Sequence, residues 1–134
     1  MTFGRDLDDA EAWLASWSAG VSERAAQAQR MADQVASLTA AATGGDDLIE
    51  VRVGSSGTIT ALHLDDRLTG RPAAWLQREI LVAMRRAQAA LADRVAAVVA
   101  ETVGADSETG RAVVDGYAQR FPAPPPDPDN SRDR

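Results

Sequence analysis

Six arginines between residues 67 and 94 are the side chains of this sequence best suited to bind a ligand. Arg71, Arg78 and Arg85 are spaced by seven, which on a helix turns each by only about 20° from the last and spreads them along one side. The guanidinium fork matches phosphate oxygens, so such a row predicts contact with a phosphate backbone. The alternative is a solvated helix face with intrahelical ion pairs such as Glu79 to Arg86. The phosphate-binding residues predicted are Arg67, Arg71, Arg78, Arg85, Arg86 and Arg94.

The charge of the chain is distributed unevenly. The formal net charge of the 134 residues is −6, yet residues 67–100 carry +4. The segments on either side are acidic, with −7 on residues 1–66 and −3 on residues 101–134. A basic segment between acidic ends indicates a surface that attracts a polyanion.

Four aspartates are the other candidates for chemistry. If the strands described below form a hairpin, Asp46 and Asp47 approach Asp65 and Asp66, and four carboxylates together could hold Mg²⁺ or Ca²⁺. We favour the simpler interpretation that they begin turns by bonding their own backbone. There is no cysteine, His63 is the one histidine, and only 4% of residues are aromatic. Thiol chemistry, histidine-rich metal sites and aromatic-walled pockets are thus disfavoured, and we expect no enzyme activity, cofactor, metal or small-molecule substrate.

Length and composition predict one globular domain. We place it at residues 1–121 and assign residues 122–134, rich in proline and aspartate, to a disordered tail. The N-terminus lacks the pattern of a secretory signal, and no uninterrupted apolar run is long enough to span a membrane. We therefore expect a cytoplasmic protein without membrane association.

A long helix is predicted from Asp6 to Ala42. Acidic residues near its start favour the helix dipole, and the sequence Thr-Gly-Gly at 43–45 supplies a stop. Apolar residues recur with a heptad period broken only by Arg24, which predicts an arm that forms a coiled coil with another helix. A bent helix in a monomeric bundle is the alternative. The heptad positions are Leu7, Ala10, Leu14, Trp17, Val21, Ala28, Met31, Val35, Leu38 and Ala42.

Two strands follow, joined by a turn at residues 54–57. In the first, apolar residues alternate with Glu50 and Arg52, as in a strand with one wet face. In the second, the apolar spacing changes, which predicts a bulge at Thr60 or Ala61. Two strands alone are marginally stable, so we expect this small antiparallel sheet to extend across a homodimer. The predicted core and dimer residues are Ile49, Val51, Val53, Ile59, Leu62 and Leu64 on the strands and Leu76, Ile80 and Ala83 after them.

Two further helices complete the predicted α+β fold of long helix, β-hairpin, long helix and short C-terminal helix. The second long helix runs from Pro72, at the first helical position, to about Val103 and ends at Gly104. A shorter amphipathic helix runs from Ser107 to about Arg120. Its apolar residues are Val113, Val114, Tyr117 and Phe121.

The stretch from Leu48 to Gln88 resembles the YbaB/EbfC family of small bacterial nucleoid-associated proteins. The likeness rests on Leu48 to Gly54, on the sequence pattern Ile-x-x-Leu-x-Leu-Asp that ends at Asp65, and on the segment Ile80 to Gln88. The order of long helix, hairpin and long helix is similar too, over about residues 10 to 100. The resemblance implies a tweezer-shaped homodimer that binds duplex DNA with little sequence preference.

Two functions follow as hypotheses. We favour a homodimeric, nucleoid-associated DNA-binding protein with an architectural or regulatory role. The alternative is a protein-interaction module that keeps the dimeric fold without binding DNA. Actinobacterial relatives of the family resemble accessory proteins of type VII secretion loci, and the acidic first helix, with Trp13 and Trp17, could offer a surface to a protein partner.

Overall fold

The chain folds in the order helix, three strands and two helices, and the predicted α+β class is confirmed. A computed structural model describes the backbone of residues 3–123 and the side chains of residues 6–123. Most of the tail predicted at residues 122–134 lies outside the described residues. The elements are α1 (Phe3–Ala36), β1 (Ala40–Gly44), β2 (Ile49–Val53), β3 (Ile59–Leu64), a 3₁₀ turn (Asp66–Leu68), α2 (Ala73–Glu101) and α3 (Glu108–Arg120).

The first helix is shorter than predicted. It ends at Ala36, and residues 40–44, which we expected to complete it, form β1 and pair antiparallel with β2. The sheet therefore has three strands in the order β1-β2-β3 rather than the two of the predicted hairpin. The alanines of this segment are good helix formers, but pairing with a buried neighbour overrides their local preference.

The small residues of β1 allow α2 to lie directly on it. Ala40 is buried, and a side chain added at Gly44 would meet the backbone oxygen of Glu79 at 2.9 Å and the Cβ of Ala83 at 3.2 Å. A larger residue at either position would hold α2 away from the sheet. Alanine and glycine in this strand thus serve close packing of helix on sheet.

The predicted hairpin and its bulge are confirmed. β2 pairs antiparallel with β3, and the register shifts opposite the Arg52–Val53 step. Arg52 is opposite Ala61 while Val53 is opposite Ile59, so Thr60 is the extra residue of the bulge. The shift keeps the apolar side chains on both sides of the bulge on one face of the sheet.

The core lies between β2 and α2. Ile49, Val51 and Val53 are fully buried, and they alternate with Glu50 and Arg52 as a strand with one wet face requires. The opposing stripe on α2 has helical spacing, and α2 packs on β1, β2 and α3 along its length. The fully buried residues of that stripe are Ala83, Ala87, Leu91, Val95 and Val99.

Only the C-terminal end of α1 joins this core. Met31 is buried, and Val35 and Leu38 pack against the same cluster. In contrast, every described side chain from residue 6 to residue 19 is exposed. The coiled coil predicted for α1 therefore has no counterpart within the described part of one chain. No helix of that part is long and apolar enough to cross a membrane.

The two later helices begin and end close to their predicted limits. Pro72 is the residue before α2 and not its first helical residue, since its backbone is extended (ψ 138°). Helix α2 ends at Glu101, two residues before the predicted end. Ser107 caps α3 by accepting a 2.9 Å hydrogen bond from the Gly110 N–H, the usual role of a serine at this position.

Helix α3 holds the turn of the β2–β3 hairpin against α2. The Tyr117 hydroxyl donates to the Ser55 carbonyl (2.8 Å), and Arg120 Nη2 donates to the Ser56 carbonyl (3.1 Å). From α2, Gln88 Nε2 donates to the Gly57 carbonyl (3.0 Å). Three consecutive carbonyls of the turn are thus satisfied by side chains from two helices, which sets the position of the hairpin.

Replacing Gly57 by alanine is expected to destabilise the protein by about 1 to 3 kcal/mol. Gly57 has φ of +83°, and a Cβ there would overlap Cζ of Phe121, so the variant strains the turn and displaces the ring. Urea unfolding at one fixed protein concentration measures the effect. Gly20→Ala is the control, because nothing lies within 4 Å of that helical glycine and alanine should stabilise by about 0.5 to 1 kcal/mol. Equal stability of the two variants would contradict the assignment.

Candidate nucleic-acid interface

The six arginines singled out in the sequence lie in or beside α2, but the fold gives them different partners. Arg67 is in the 3₁₀ turn and Arg71 lies just before α2. The other four are on α2 and all are exposed. What distinguishes the six is whether a carboxylate neutralises the guanidinium.

Arg67 is paired with Asp65 through two parallel contacts. Its Nε donates to Oδ1 of Asp65 at 3.0 Å and its Nη2 to Oδ2 at 3.1 Å. The Asp65 carboxylate also accepts from the Arg67 backbone N–H (2.9 Å) and so caps the 3₁₀ turn, the turn role expected from the sequence. These hydrogen bonds lower the pKa of Asp65 from 3.8 to about 2, so the pair is ionised at neutral pH and Arg67 adds little net charge.

Arg67→Ala is expected to raise the pKa of Asp65 from about 2 part of the way towards 3.8, because the two side-chain hydrogen bonds that favour the carboxylate are lost while the bond from the backbone N–H of residue 67 remains. Since the folded-state pKa is depressed, the contribution of the pair to stability is complete above the unfolded value and is lost as the pH falls through about 2. Titration of the carboxyl carbon by NMR measures both values. An unchanged midpoint in the variant would show that Arg67 is not the cause.

Arg71 also has an acidic partner. Its Nη2 lies 3.5 Å from Oδ2 of Asp46, and its guanidinium carbon is 4.7 Å from the ring centroid of Trp75. Asp46 belongs to the tight turn between β1 and β2, where it has a φ of +59°. Arg71 thus ties this turn to the start of α2.

Arg86 and Arg94 donate to carbonyls of β1 and of the residue before it, and these contacts do not neutralise their charge. Arg86 Nη1 donates to the Thr43 carbonyl (3.1 Å) and Arg94 Nη1 to the Thr39 carbonyl (2.8 Å). A carbonyl is neutral, and each contact uses one of the five N–H groups of the guanidinium. Both side chains therefore hold α2 beside the strand and still present positive charge to the solvent.

The predicted ion pair between Glu79 and Arg86 does not form. A carboxylate oxygen of Glu79 instead accepts a 3.1 Å hydrogen bond from the Gly45 backbone N–H. The sheet is the reason, because the β1–β2 turn lies over α2 at this point and offers an otherwise unpaired N–H. Glu79 is thus withdrawn from the arginines of its own helix.

Arg78 and Arg85 have no charged partner among the described residues. Neither donates a hydrogen bond nor forms an ion pair there, and both are exposed. Arg85 follows the buried Ala83 by two positions, about 200° around the helix, so it lies on the side away from the sheet. Arg78, seven residues earlier, lies on the same side. These are the arginines whose charge is most available to a ligand.

Arg120 of α3 belongs to the same surface and was missed in the sequence. It lines, together with Arg85, a shallow groove of about 390 Å³ between α2 and α3. Its guanidinium stacks 4.9 Å from the ring centroid of Phe121. The spacing of Tyr117 and Phe121 indicated which side of α3 is buried, but not that this side would lie beside Arg85.

The predicted core and dimer residues divide into two groups. Those on β2 and Ala83 are fully buried, and Leu76 and Ile80 pack against the same core. Those on β3 are exposed: Ile59 by 37%, Leu62 by 43% and Leu64 by 47%. Leu62 is opposite Val51 in the register, so it shares the sheet face that α2 covers elsewhere. β3 lies at the end of the strand order, and no strand of the described residues pairs with its outer edge.

Three of the four aspartates considered as a metal site have other partners. Asp65 and Asp46 are paired with arginines, and Asp47 accepts a 3.0 Å hydrogen bond from the Thr43 hydroxyl. His63 is an exposed residue of β3 opposite Glu50. Residues 6–123 contain no group of three carboxylate or imidazole side chains arranged to hold a metal ion.

Comparison with known proteins assigns this chain to one family. No curated protein is significantly similar to the chain in sequence. The sequence model of the YbaB/EbfC DNA-binding family matches residues 14–106, a range that begins in α1, includes the whole sheet and α2, and ends before α3. The match covers well over half of the chain, which therefore belongs to the YbaB/EbfC DNA-binding family.

Proposed function

We propose that two copies of this chain form a nucleoid-associated dimer that binds duplex DNA through arginine–phosphate contacts with little sequence preference. Membership of a DNA-binding, non-enzymatic family supports the general role. The observation that carries the proposal is a set of exposed α2 arginines without a carboxylate partner among the described residues, which we call the arginine row: two lie on the side of α2 away from the sheet and two lie beside β1. Its members are Arg78, Arg85, Arg86 and Arg94.

The partner arrangement of the six arginines supports phosphate contact by these four in particular. Arg67 and Arg71 face carboxylates, and a phosphate would have to displace an existing ion pair to bind them. The four on α2 can each donate two N–H groups to a phosphate without breaking an ion pair. Arg120, beside Arg85 in the α2–α3 groove, extends the same row.

The outer edge of β3 supports the dimer. An unpaired edge strand with exposed apolar side chains is a template for pairing with another chain. Antiparallel pairing of two β3 strands, related by a two-fold axis normal to the sheet, would join the sheets edge to edge. Both α2 helices would then lie on one face, and the two arginine rows would act together on one duplex.

Little sequence preference is expected because the proposed contacts are to phosphates. Phosphate contacts fix the position of a protein on the duplex but carry no sequence information, which comes from base edges in the grooves. Guanidinium groups spread along the outside of a helix that packs on a sheet are suited to the backbone. Arginine-lined surfaces of this kind bind more weakly as counterion concentration rises.

A salt titration with labelled duplexes of unrelated sequence tests the proposal. With eight α2 arginines in a dimer, affinity is expected to fall about a thousandfold or more between about 50 and 200 mM salt. The dissociation constants for different sequences should agree within about threefold, as expected for contacts to phosphate only. Absence of binding at low salt, or binding indifferent to salt, would overturn the proposal.

The same titration separates the alternative function. A protein-interaction module that has lost DNA binding, for instance an accessory protein of a type VII secretion system, would show no salt-dependent binding of duplex DNA. The exposed face of α1 favours a protein contact in addition to DNA.

A further inference from the structure

The first two-thirds of α1 present apolar side chains to the solvent. Leu7 is 62% exposed, Leu14 54% and Trp17 56%, and they recur at heptad spacing along one side of the helix. Trp13 (65%) and Val21 (39%) extend the same stripe. We call residues 6–23 the acidic arm, since they contain five acids and no basic residue.

Exposure of this kind has a substantial free-energy cost. Burial of a leucine or a larger side chain is worth about 1.5 to 3 kcal/mol relative to leaving it in water. Contiguous exposed apolar patches on soluble proteins mark surfaces that bind something, and tryptophan is enriched at the centres of such interfaces. The acidic arm is therefore suited to hold a partner through Trp13 and Trp17.

The charge of the acidic arm restricts what the partner is. Its five carboxylates are Asp6, Asp8, Asp9, Glu11 and Glu23. Taking Leu7 as heptad position a, Asp6 and Glu11 fall at the g and e positions that flank the stripe. A parallel pairing of two arms would set these like charges against each other, which is destabilising. Phosphate is repelled by the same carboxylates, so duplex DNA is also a poor occupant.

We propose that the acidic arm binds an amphipathic helix of a protein partner whose apolar face is flanked by lysine or arginine. The apolar stripe supplies the buried contact, and the flanking carboxylates select a basic helix over an acidic one. The proposal does not depend on DNA binding, because it uses α1 residues that lie outside the arginine row of α2.

A synthetic helical peptide tests this directly on the full chain. The probe carries leucine at positions a and d, lysine and arginine at e and g, and no aromatic residue. The protein contains three tryptophans, so a Trp75→Phe variant leaves Trp13 and Trp17 as the reporters. Saturable binding with a blue shift of their emission is expected. A peptide with glutamate at e and g, and a scrambled basic peptide, are expected to bind at least tenfold more weakly.

Paired variants distinguish the stripe from the rest of the helix. Leu14→Ser with Trp17→Ser, both at exposed positions, should weaken binding of the basic peptide at least tenfold while leaving helicity and sedimentation unchanged. The matched control, Ala12→Ser with Ala19→Ser on the opposite side, should bind as the parent does. Failure of the basic peptide to bind, or equal binding of all three peptides, would overturn the proposal. A change of oligomeric state in the stripe variant would also overturn it, since the occupant would then be a second copy.

Discussion

Leu62→Asp is expected to convert the proposed dimer to monomers and to lower its affinity for duplex DNA by at least about a hundredfold. Leu62 is 43% exposed on β3 and shares the face of the sheet that holds Val51. In the paired sheet it would be buried between two copies, and a carboxylate there would lose its water without gaining a partner. In the single chain the carboxylate stays hydrated, so each protomer should remain folded.

Two measurements check this prediction. Sedimentation should give the protomer mass of 14.2 kDa for the variant and twice that mass for the parent at the same concentration. The salt dependence of DNA binding should fall by about half, because each monomer offers half as many phosphate contacts. His63→Asp is the control. His63 is the cross-strand neighbour of Glu50 and lies on the other face of the sheet from Leu62, where a carboxylate remains in water. Persistence of the dimer in Leu62→Asp, or equal dissociation of both variants, would contradict pairing through β3.

Arg78→Ala with Arg85→Ala is expected to weaken DNA binding by about 10- to 100-fold at low salt. The double substitution removes four guanidinium groups from a dimer, and the slope of log affinity against log salt should fall by up to about 3.6 if all four contact phosphate. Both side chains are exposed and have no charged partner among residues 6–123, so the fold loses nothing with them. Fluorescence anisotropy over a range of salt concentrations measures both quantities.

The matched control is Arg67→Ala with Arg71→Ala. It changes the net charge equally, but these arginines are held by Asp65 and Asp46. We expect their replacement to lower affinity less than about threefold and to leave the salt slope nearly unchanged. If the two double variants lose equal affinity, net charge alone would account for binding. The partner arrangement would then not select the phosphate contacts.

The order of the elements could be predicted because it depends on patterns among near neighbours. The alternation in Ile49–Val53 indicates one buried face, and the change in spacing near Thr60 requires an extra residue there. The helical spacing of apolar residues that include Val113 and Tyr117 indicated the short last helix. Each of these depends on residues within a turn or two along the chain.

The secondary structure of residues 40–44 could not be predicted in the same way. Ala40 to Ala42 favour a helix by intrinsic propensity, and nothing next to them in the sequence opposes it. They form a strand because β2 offers hydrogen bonds and α2 packs closely against Gly44. Both are supplied by segments that come later in the chain.

The arginines show the same division. Their number and spacing are read directly from the sequence, and the contact of Arg67 with Asp65, two residues away, is local. The contacts of Arg71 with Asp46 and of Arg86 with Thr43 join distant segments. Before folding, the five other arginines therefore look equivalent. The fold then separates Arg71, which is paired with a carboxylate, from those that have no such partner among the described residues.

The linear pattern of residues was thus sufficient for the order of helices and strands, the bulge and the position of the positive charge, since short-range sterics and periodicity control them. Three properties depended on how distant segments pack: the third strand, the edge of β3 that pairs with no strand of the described residues, and the arginines that have no carboxylate partner there. The physical reason is that a strand edge needs a hydrogen-bonding strand and a guanidinium needs a carboxylate or carbonyl, and the fold decides which of these lies nearby. In this protein those partners are mostly far away in the sequence.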